Sequence, residues 1–315
     1  MTETILKNKN SFWESKRRTQ KVVTVVVTIL LILGAGSMML PMVWMLLTSF
    51  KTLNDVFAVP PIWIPNPLHF ENYPNAWNIV DPQTGRVMFA DDSWTFFGFT
   101  IQGVNFTTYL VNTLFIAIFA CVGATLSAAL VAFAFARLRF PGREFLWYIC
   151  LATMMVPAQV TMIPQFILFK NMGWYDTFWP LILPAWLGGG AFNIFLMRQF
   201  FMTIPYEMDE AAKIDGCSNF GVFWRILLPL CKPALTTVTV FAFVYNWNDF
   251  MNPLIYLDSN SKKTLALGLT NFVSLYGQDY HLLMAASMLI VIPIALIFFF
   301  GQRYFIQGIA TTGLK

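Results

Sequence analysis

The sequence contains few charged residues. Only 11% of its 315 residues are Asp, Glu, Lys or Arg, whereas 57% are hydrophobic. In a soluble domain about a quarter of all residues are charged, so we expect an integral membrane protein with no room for a large soluble domain. The net charge of +4 would suit an acidic partner such as a nucleic acid. The basic residues, however, are distributed unevenly between the two sides of a membrane, which argues against a nucleic-acid partner.

Cysteine and histidine are also scarce, with four and two residues respectively. Cys121 and Cys150 lie within apolar stretches, and Cys217 and Cys231 have neither a close Cys-x-x-Cys partner nor a nearby histidine. These positions exclude a disulfide framework and predict no metal site. Small apolar packing is the role we expect for the cysteines.

Long apolar stretches dominate the rest of the chain, and six of them have the roughly 20 residues needed to cross a bilayer. The first follows a basic leader, but it is too long for a signal peptide and no small-residue cleavage site follows it. The sequence therefore predicts an all-α polytopic membrane protein. Its six transmembrane helices are expected near Val22–Phe50, Thr107–Leu138, Glu144–Phe169, Asp176–Phe201, Ala234–Leu257 and Leu282–Phe305.

The orientation follows from the positions of Lys and Arg. Because successive spans cross the membrane in opposite directions, the segments 1–21, 137–143, 198–232 and 303–315 lie on the same side. These segments hold fifteen of the twenty Lys and Arg residues. Cytoplasmic loops carry the excess of basic residues, so we expect both termini in the cytoplasm. This predicts a cytoplasmic N-terminal tail at 1–21, followed by a six-span domain at 22–315. Within that domain, 51–105 is expected to be an outer segment and 203–233 a cytoplasmic loop.

The outer segment 51–105 is rich in Pro, Trp and Asn. Its proline density excludes a long helix, and its Trp and Ile content indicates a short structured lid at the outer membrane surface.

Charge is concentrated in one stretch of the 203–233 loop, at Glu207, Asp209, Glu210, Lys213 and Asp215. Pro205 suits the first turn of a helix, in which the dipole favours the acidic residues that follow. Gly216 is well placed to end this helix, and Ser218 to cap a second one. The pattern predicts a short helix, a sharp turn and a second helix whose face is Phe220, Phe223, Trp224 and Leu227.

On charge alone, two interpretations of this loop remain open. One is a docking surface, where adjacent alanines allow close approach and the charges orient a partner. The other is an amphipathic helix lying on lipid.

The residues "EAAKIDGCSNFGVFWRILLPL" bear on that choice. They show Glu-Ala-Ala, then Gly after three residues, and Ile-x-Leu-Pro nine residues later. This stretch resembles the EAA loop of ABC-importer permeases. The resemblance implies a type I ABC-importer permease architecture, with a cytoplasmic coupling helix between helices 4 and 5 that docks into an ATPase subunit. The coupling residues it indicates are Glu210, Ala211, Ala212, Asp215 and Gly216.

Three further stretches, "SFKTLNDVF", "NWNDFMNPLIYL" and "FFFGQRYFIQGIATTGLK", are similar to the carbohydrate-uptake branch, and specifically to the second maltose-type permease. The similarity runs from about Val22 to the end, and 79–99 looks like an insertion. It implies a non-catalytic permease of a bacterial cell membrane that imports a sugar or oligosaccharide. The implied partners are a second homologous permease, two cytoplasmic ATPase subunits and an extracytoplasmic substrate-binding protein.

No G-x-x-x-x-G-K-[ST] phosphate loop occurs in the chain, so we expect ATP and Mg to be bound by the partner ATPase and no cofactor here. The alternative is a secondary transporter that works alone on an ion gradient. It would need several intramembrane carboxylates, and only Asp249 qualifies clearly.

Polar side chains interrupt the fifth expected span at Tyr245, Asn246, Trp247, Asn248 and Asp249. One interpretation places them along the translocation path, where amides bond sugar hydroxyls and an aromatic ring stacks on a sugar face. The other is a gate or a network of hydrogen bonds between packed helices.

Two other spans contain helix-breaking residues. Pro157 and Pro164 are expected to break the third span, with Gln159 and Thr161 satisfying the freed backbone groups. The glycines at 188–190 allow either close helix approach or a bend in the fourth span.

Overall fold

The structure is a computed structural model that describes residues 2–81, 84–96, 98–273 and 279–312, with side chains between 19 and 299. The described helices are α1 Thr2–Thr48, α2 Leu53–Val56, α3 Asn72–Trp77, α4 Phe106–Arg137, α5 Arg143–Thr153, α6 Ala158–Asn171, α7 Trp179–Trp186, α8 Ala191–Thr203, α9 Glu207–Ile214, α10 Asn219–Val222, α11 Leu228–Leu230, α12 Lys232–Trp247, α13 Met251–Tyr256, α14 Leu265–Gly268 and α15 Tyr280–Thr312. A π-helical turn, Phe223–Leu227, joins α10 to α11, and 3₁₀ turns occur at Asn260–Lys262 and Leu269–Phe272. An antiparallel hairpin pairs β1, Ser93–Phe96, with β2, Phe99–Gln102.

Four helical segments in the described ranges are long and apolar enough to cross a membrane: Thr19–Thr48, Phe106–Arg137, Trp179–Thr203 and Tyr280–Phe299. Two bent helix pairs, Arg143–Thr153 with Ala158–Asn171 and Asn219–Leu230 with Lys232–Trp247, pass the same test together. Counting each pair as one span gives the expected six. The chain is mostly helical, as the sequence predicts. The small hairpin was not predicted.

The third span bends by 98° between α5 and α6, where Pro157 has an extended backbone. The break expected at Pro157 is therefore confirmed. Pro164 lies inside α6, and the expectation that it would break the helix is wrong. A proline removes one N–H bond and kinks a helix, but neighbouring groups can satisfy the freed carbonyl in a membrane protein.

The fifth span differs from the continuous helix expected over Ala234–Leu257. Helix α12 ends at Trp247, and α13 begins at Met251. Asp249 lies in the interruption, and its carboxylate accepts hydrogen bonds from the backbone N–H and the side-chain amide of Asn252. A carboxylate that caps a new helix in this way competes with continuation of the old one.

Helix α4 is the centre of the bundle, and α7, α8 and α12 pack against it. Small residues buried along α4 allow close approach: Ala117, Ala120, Ala124, Ala128, Ala129 and Ala132. The fourth span meets α4 at Gly189, where a Cβ would overlap the carbonyl oxygen of Ala124. The glycines at 188–190 all have positive φ angles and interrupt the helix between α7 and α8. The contact at Gly189 supports the close-approach interpretation.

The two ends of α4 lie at opposite ends of the molecule. Near one end, Asn112 Nδ2 donates to the carbonyls of Ser261 and Lys263. At the other end, Arg137 donates to the carbonyls of Phe201 and Ile204. Twenty-five residues of helix separate Asn112 from Arg137, about 37 Å along the axis.

The segment expected on the outside folds against the Asn112 end of α4. It contains α2, α3 and the hairpin, so the exclusion of a long helix holds for the described part of 51–105. Trp94 Nε1 donates to Asn112 Oδ1 at 3.2 Å, and Asn260 Nδ2 donates to Asp92 Oδ2 at 3.2 Å. Ile79 is fully buried. These contacts make the segment a packed part of the body.

Candidate functional site

The charged stretch forms the helix–turn–helix that the sequence predicts. Helix α9 runs from Glu207 to Ile214 with its acidic residues in the first turn. Gly216 has a φ of +81° and ends the helix region. Ser218 Oγ then accepts a hydrogen bond from the N–H of Gly221 and caps α10. The motif lies at the Arg137 end of the molecule.

The residues indicated for coupling divide between two sides of α9. Glu210, Ala211, Asp215 and Gly216 are exposed, whereas Ala212 is buried in the core of the chain. Ala212 thus brings α9 against the helical body, and the other four remain open to a partner. Their role in coupling stays a prediction.

The second helix does not present the single apolar face expected. Phe223 and Leu227 are buried, whereas Phe220 is 64% and Trp224 is 53% exposed. The two exposed rings stack with centroids 6.3 Å apart. The π-helical turn that begins at Phe223 changes the helical period and so separates the two pairs.

Asp209 is the buried acid of α9, and no sequence pattern distinguished it from its acidic neighbours. Its carboxylate lies 3.5 Å from Arg137 Nε, and both side chains are almost fully buried. Burial raises the pKa of Asp209, while the positive charges of Arg137 and Lys213 oppose that rise. Asp209 lies three residues before Ala212 on the same face of α9, and only the structure shows that this face is buried.

A second site lies midway along the bundle. A cavity of about 890 Å³ is bordered by α6, α7, α8, α12 and α13, and Ala124 in the middle of α4 contributes to its wall. Its polar lining residues carry amides, hydroxyls and one carboxylate: Gln159, Thr161, Gln165, Asn193, Tyr245, Asn246, Asp249, Asn252 and Tyr256. Phe169, Phe192 and Phe241 add aromatic surface.

The five polar residues of the fifth span have different surroundings. Tyr245, Asn246 and Asp249 line the cavity, as the path interpretation requires. Trp247 is 1% exposed, stacks on Phe243 and donates from Nε1 to the Ile290 carbonyl, which is the packing interpretation. Asn248 bonds the carbonyl of Val244 and is absent from the cavity lining. A transport role for any of them stays a prediction.

Sequence reasoning missed Gln165, Asn193 and Asn252 in the cavity wall, and it assigned Gln159 only to backbone satisfaction. Each is an amide within an otherwise apolar stretch. That is the signal that could have found them, since polar side chains in spans face a cavity or a partner.

A polytopic helical bundle with a polar cavity at mid-depth and a charged helix–turn–helix at one end defines a transport permease. Residues 124–311 match the family model described as "Binding-protein-dependent transport system inner membrane component". The chain belongs to this family.

Individual relatives agree with that assignment. The chain is 32% identical to the probable ABC transporter permease protein YurM of Bacillus subtilis, over 87% of this chain and 83% of that protein. It is 31% identical to the arabinooligosaccharides transport system permease protein AraQ of Halalkalibacterium halodurans, over 95% of this chain and 99% of that one.

The fold matches a solved chain from a bacterial ABC transporter involved in the import of the acidic polysaccharide alginate. The TM-score is 0.73 at 23% identity, covering 91% of this chain and 98% of the other. The expected type I importer permease fold is thereby confirmed. The chain is a non-catalytic permease subunit of an ABC importer, and ATP is hydrolysed by a separate partner subunit.

Proposed function

We propose that this chain moves a sugar or oligosaccharide into the bacterial cytoplasm by alternating access. The observation that carries the proposal is the cavity at mid-depth of the bundle, whose largely apolar wall includes neutral hydrogen-bonding groups. Sugar hydroxyls both donate and accept hydrogen bonds, as do amides and the tyrosine hydroxyl. The relative AraQ, named for arabinooligosaccharide transport, supports the same class of solute.

The charge of the cavity wall favours an uncharged sugar. In the part of the chain that is described, the lining includes the carboxylate of Asp249 and contains no Lys, Arg or His. Phosphate or uronate groups require positive partners when they leave water. Tyr245, whose ring is 66% exposed, supplies a flat surface for the face of a sugar ring.

We place the α9 end in the cytoplasm, together with both termini, because most basic residues fall on that side. There Glu210, Ala211, Asp215 and Gly216 dock into a cleft of an ATPase subunit. The complete assembly has a second homologous permease, two ATPase subunits that bind ATP and Mg, and an extracytoplasmic substrate-binding protein. This chain needs no cofactor of its own.

The docking assignment is tested in the complex reconstituted with its ATPase and second permease. Glu210→Lys reverses an exposed charge on α9, and Gly216→Trp places a large side chain where φ is +81°. Both variants should lower ATPase activity and ATPase co-purification. Glu144→Lys, an exposed charge reversal on α5, is the matched control and should leave both unchanged. If ATPase activity is indifferent to Glu210→Lys and Gly216→Trp, the docking site is elsewhere.

The solute assignment is tested by uptake into proteoliposomes that contain the same complex and the binding protein. A labelled neutral arabinooligosaccharide is compared with an oligouronate of the same length. Tyr245→Ala should reduce uptake of the neutral sugar. Tyr148→Ala removes a tyrosine that is equally exposed at 66% but lies on α5 outside the cavity lining, so it should have no effect. Uptake of the oligouronate in preference to the neutral sugar would contradict the charge argument.

A further inference from the structure

One guanidinium holds three elements together at the α9 end. Arg137 is the last residue of α4. Its Nη2 donates to the carbonyls of Phe201 and Ile204, each at 2.7 Å, at the C-terminal end of α8. Its Nε faces Asp209 of α9, and the guanidinium carbon lies 5.5 Å from the ring centre of Tyr206. The ends of α4 and α8 and the body of α9 therefore meet at a single side chain.

This contact is built from buried groups. Arg137 and Asp209 have side chains that are 6% and 3% exposed. A buried charge that loses its partner is left uncompensated in a poor solvent. Motion of α9 relative to α4 and α8 is thus opposed at this point, and the three elements are constrained to move together.

The same two helices form walls of the cavity. Ala124 of α4 and Ala191, Phe192 and Asn193 of α8 line it. Thirteen residues of helix separate Arg137 from Ala124, about 20 Å along the axis. A displacement applied to α9 would reach the cavity through rigid helices.

We propose that Arg137 and Asp209 are the positioning residues that transmit ATP-driven motion of α9 to the cavity walls on α4 and α8. The proposal rests on the proposed function, in which an ATPase moves α9. The Asp209 carboxylate and the Arg137 guanidinium do not themselves touch the ATPase or the solute. They act by fixing α9 to the two helices that must move.

The pair also has room to tighten. The separation of 3.5 Å between Arg137 Nε and Asp209 Oδ2 exceeds the 2.7–3.2 Å of an N–H···O hydrogen bond. Among the described residues, Arg137 Nε and Asp209 Oδ1 have no hydrogen-bond partner. A small shift of α9 toward α4 would bring these two atoms within hydrogen-bond distance.

The test uses the complex of this chain with its second permease and ATPase, and its probe is ATP with vanadate, so no solute is needed. Phe192→Cys places a thiol in the cavity wall, in a background where the half-buried Cys150 and Cys217 are serine. The rate of its reaction with a charged maleimide is measured before and after vanadate trapping. Trapped nucleotide and co-purified ATPase are measured in the same samples.

Asp209→Asn removes the charge at constant shape, and Arg137→Lys keeps the charge but loses the planar fork. We expect both to retain ATPase binding and nucleotide trapping while the change in labelling rate is lost. The control is Glu144→Gln, which removes the charge of an exposed carboxylate on α5 and should preserve the change. A merely structural role would instead lower ATPase binding and labelling response together.

Arg137→Met combined with Asp209→Leu keeps the test decisive if a single variant does not assemble, because it leaves no unpaired buried charge. The carbonyls of Phe201 and Ile204 do lose their donor in this variant. Loss of the labelling response with trapping intact supports the joint. A normal response in this double variant, or in Asp209→Asn, overturns it. Failure of the docking assignment looks different: Glu210→Lys and Gly216→Trp would then leave ATPase binding and the labelling response unchanged.

Discussion

Replacing Gly189 by alanine tests how closely the fourth span is packed. Gly189 has a φ of +71°, and a Cβ there would overlap the carbonyl oxygen of Ala124 and lie 2.8 Å from the Cβ of Ala128. Carbon atoms in contact stay about 3.5–4.0 Å apart, so the substitution must displace the fourth span from α4 by about 1 Å. The left-handed backbone costs an alanine about 1–2 kcal/mol, and overpacking costs about 1–3 kcal/mol.

Gly190→Ala is the control for steric contact, because Gly190 also has a positive φ of +86° but its Cβ would meet only Asn193 Nδ2 at 4.0 Å. We expect Gly189→Ala to lower the free energy of unfolding by about 2–5 kcal/mol, and Gly190→Ala, whose backbone (φ +86°, ψ 140°) is also strained for an alanine, by about 1–3 kcal/mol. Denaturant unfolding of the purified chain in detergent measures both. Equal losses for the two variants would refute the argument that contact with α4 requires this glycine.

Two further predictions concern the structural polar groups. Burial alone would raise the pKa of Asp176, but hydrogen bonds from Lys262, from the Ser259 hydroxyl and from the N–H groups of Asp258 and Ser259 hold its pKa at about 2. The stability that these contacts contribute is present above pH about 4 and is lost as the pH falls toward about 2. Asp176→Asn should flatten that part of a plot of thermal midpoint against pH, and an unchanged slope would contradict the assignment. Trp247→Phe removes the hydrogen bond from the indole to the Ile290 carbonyl and part of a ring that is 1% exposed, and it should cost about 1–3 kcal/mol. The exposed Asn248→Ala should stay within about 0.5 kcal/mol, and a similar loss for both would count against a packing role for Trp247.

Local patterns predicted the parts of the fold whose causes are local. The helix–turn–helix follows from Gly216 and Ser218, and the bend of the third span from Pro157, because each residue acts on the backbone beside it. The break after Trp247 was missed, because the hydrogen bonds that Asn252 donates to Asp249 form only in the folded chain.

Contacts between distant segments were beyond sequence reasoning. Asp209 looked like one more exposed acid until Arg137, 72 positions earlier, was found against it. The amides Gln165 and Asn193 likewise acquire a shared surface only when their helices are assembled. Nothing in a single sequence pairs such positions.

The breaks in three spans explain why the cavity lies where it does. The break after Pro157 contributes Gln159, the glycine break of the fourth span contributes Gly189 and Gly190, and the break after Trp247 contributes Asp249. An interrupted helix frees backbone N–H and C=O groups, and at membrane depth these are tolerated only inside protein or beside a water-filled space. The interruptions therefore converge on one polar cavity because each needs it. Gln165, Asn193 and Tyr245 line the same cavity from within α6, α8 and α12, so the polar groups come from the helices as well as from the breaks between them.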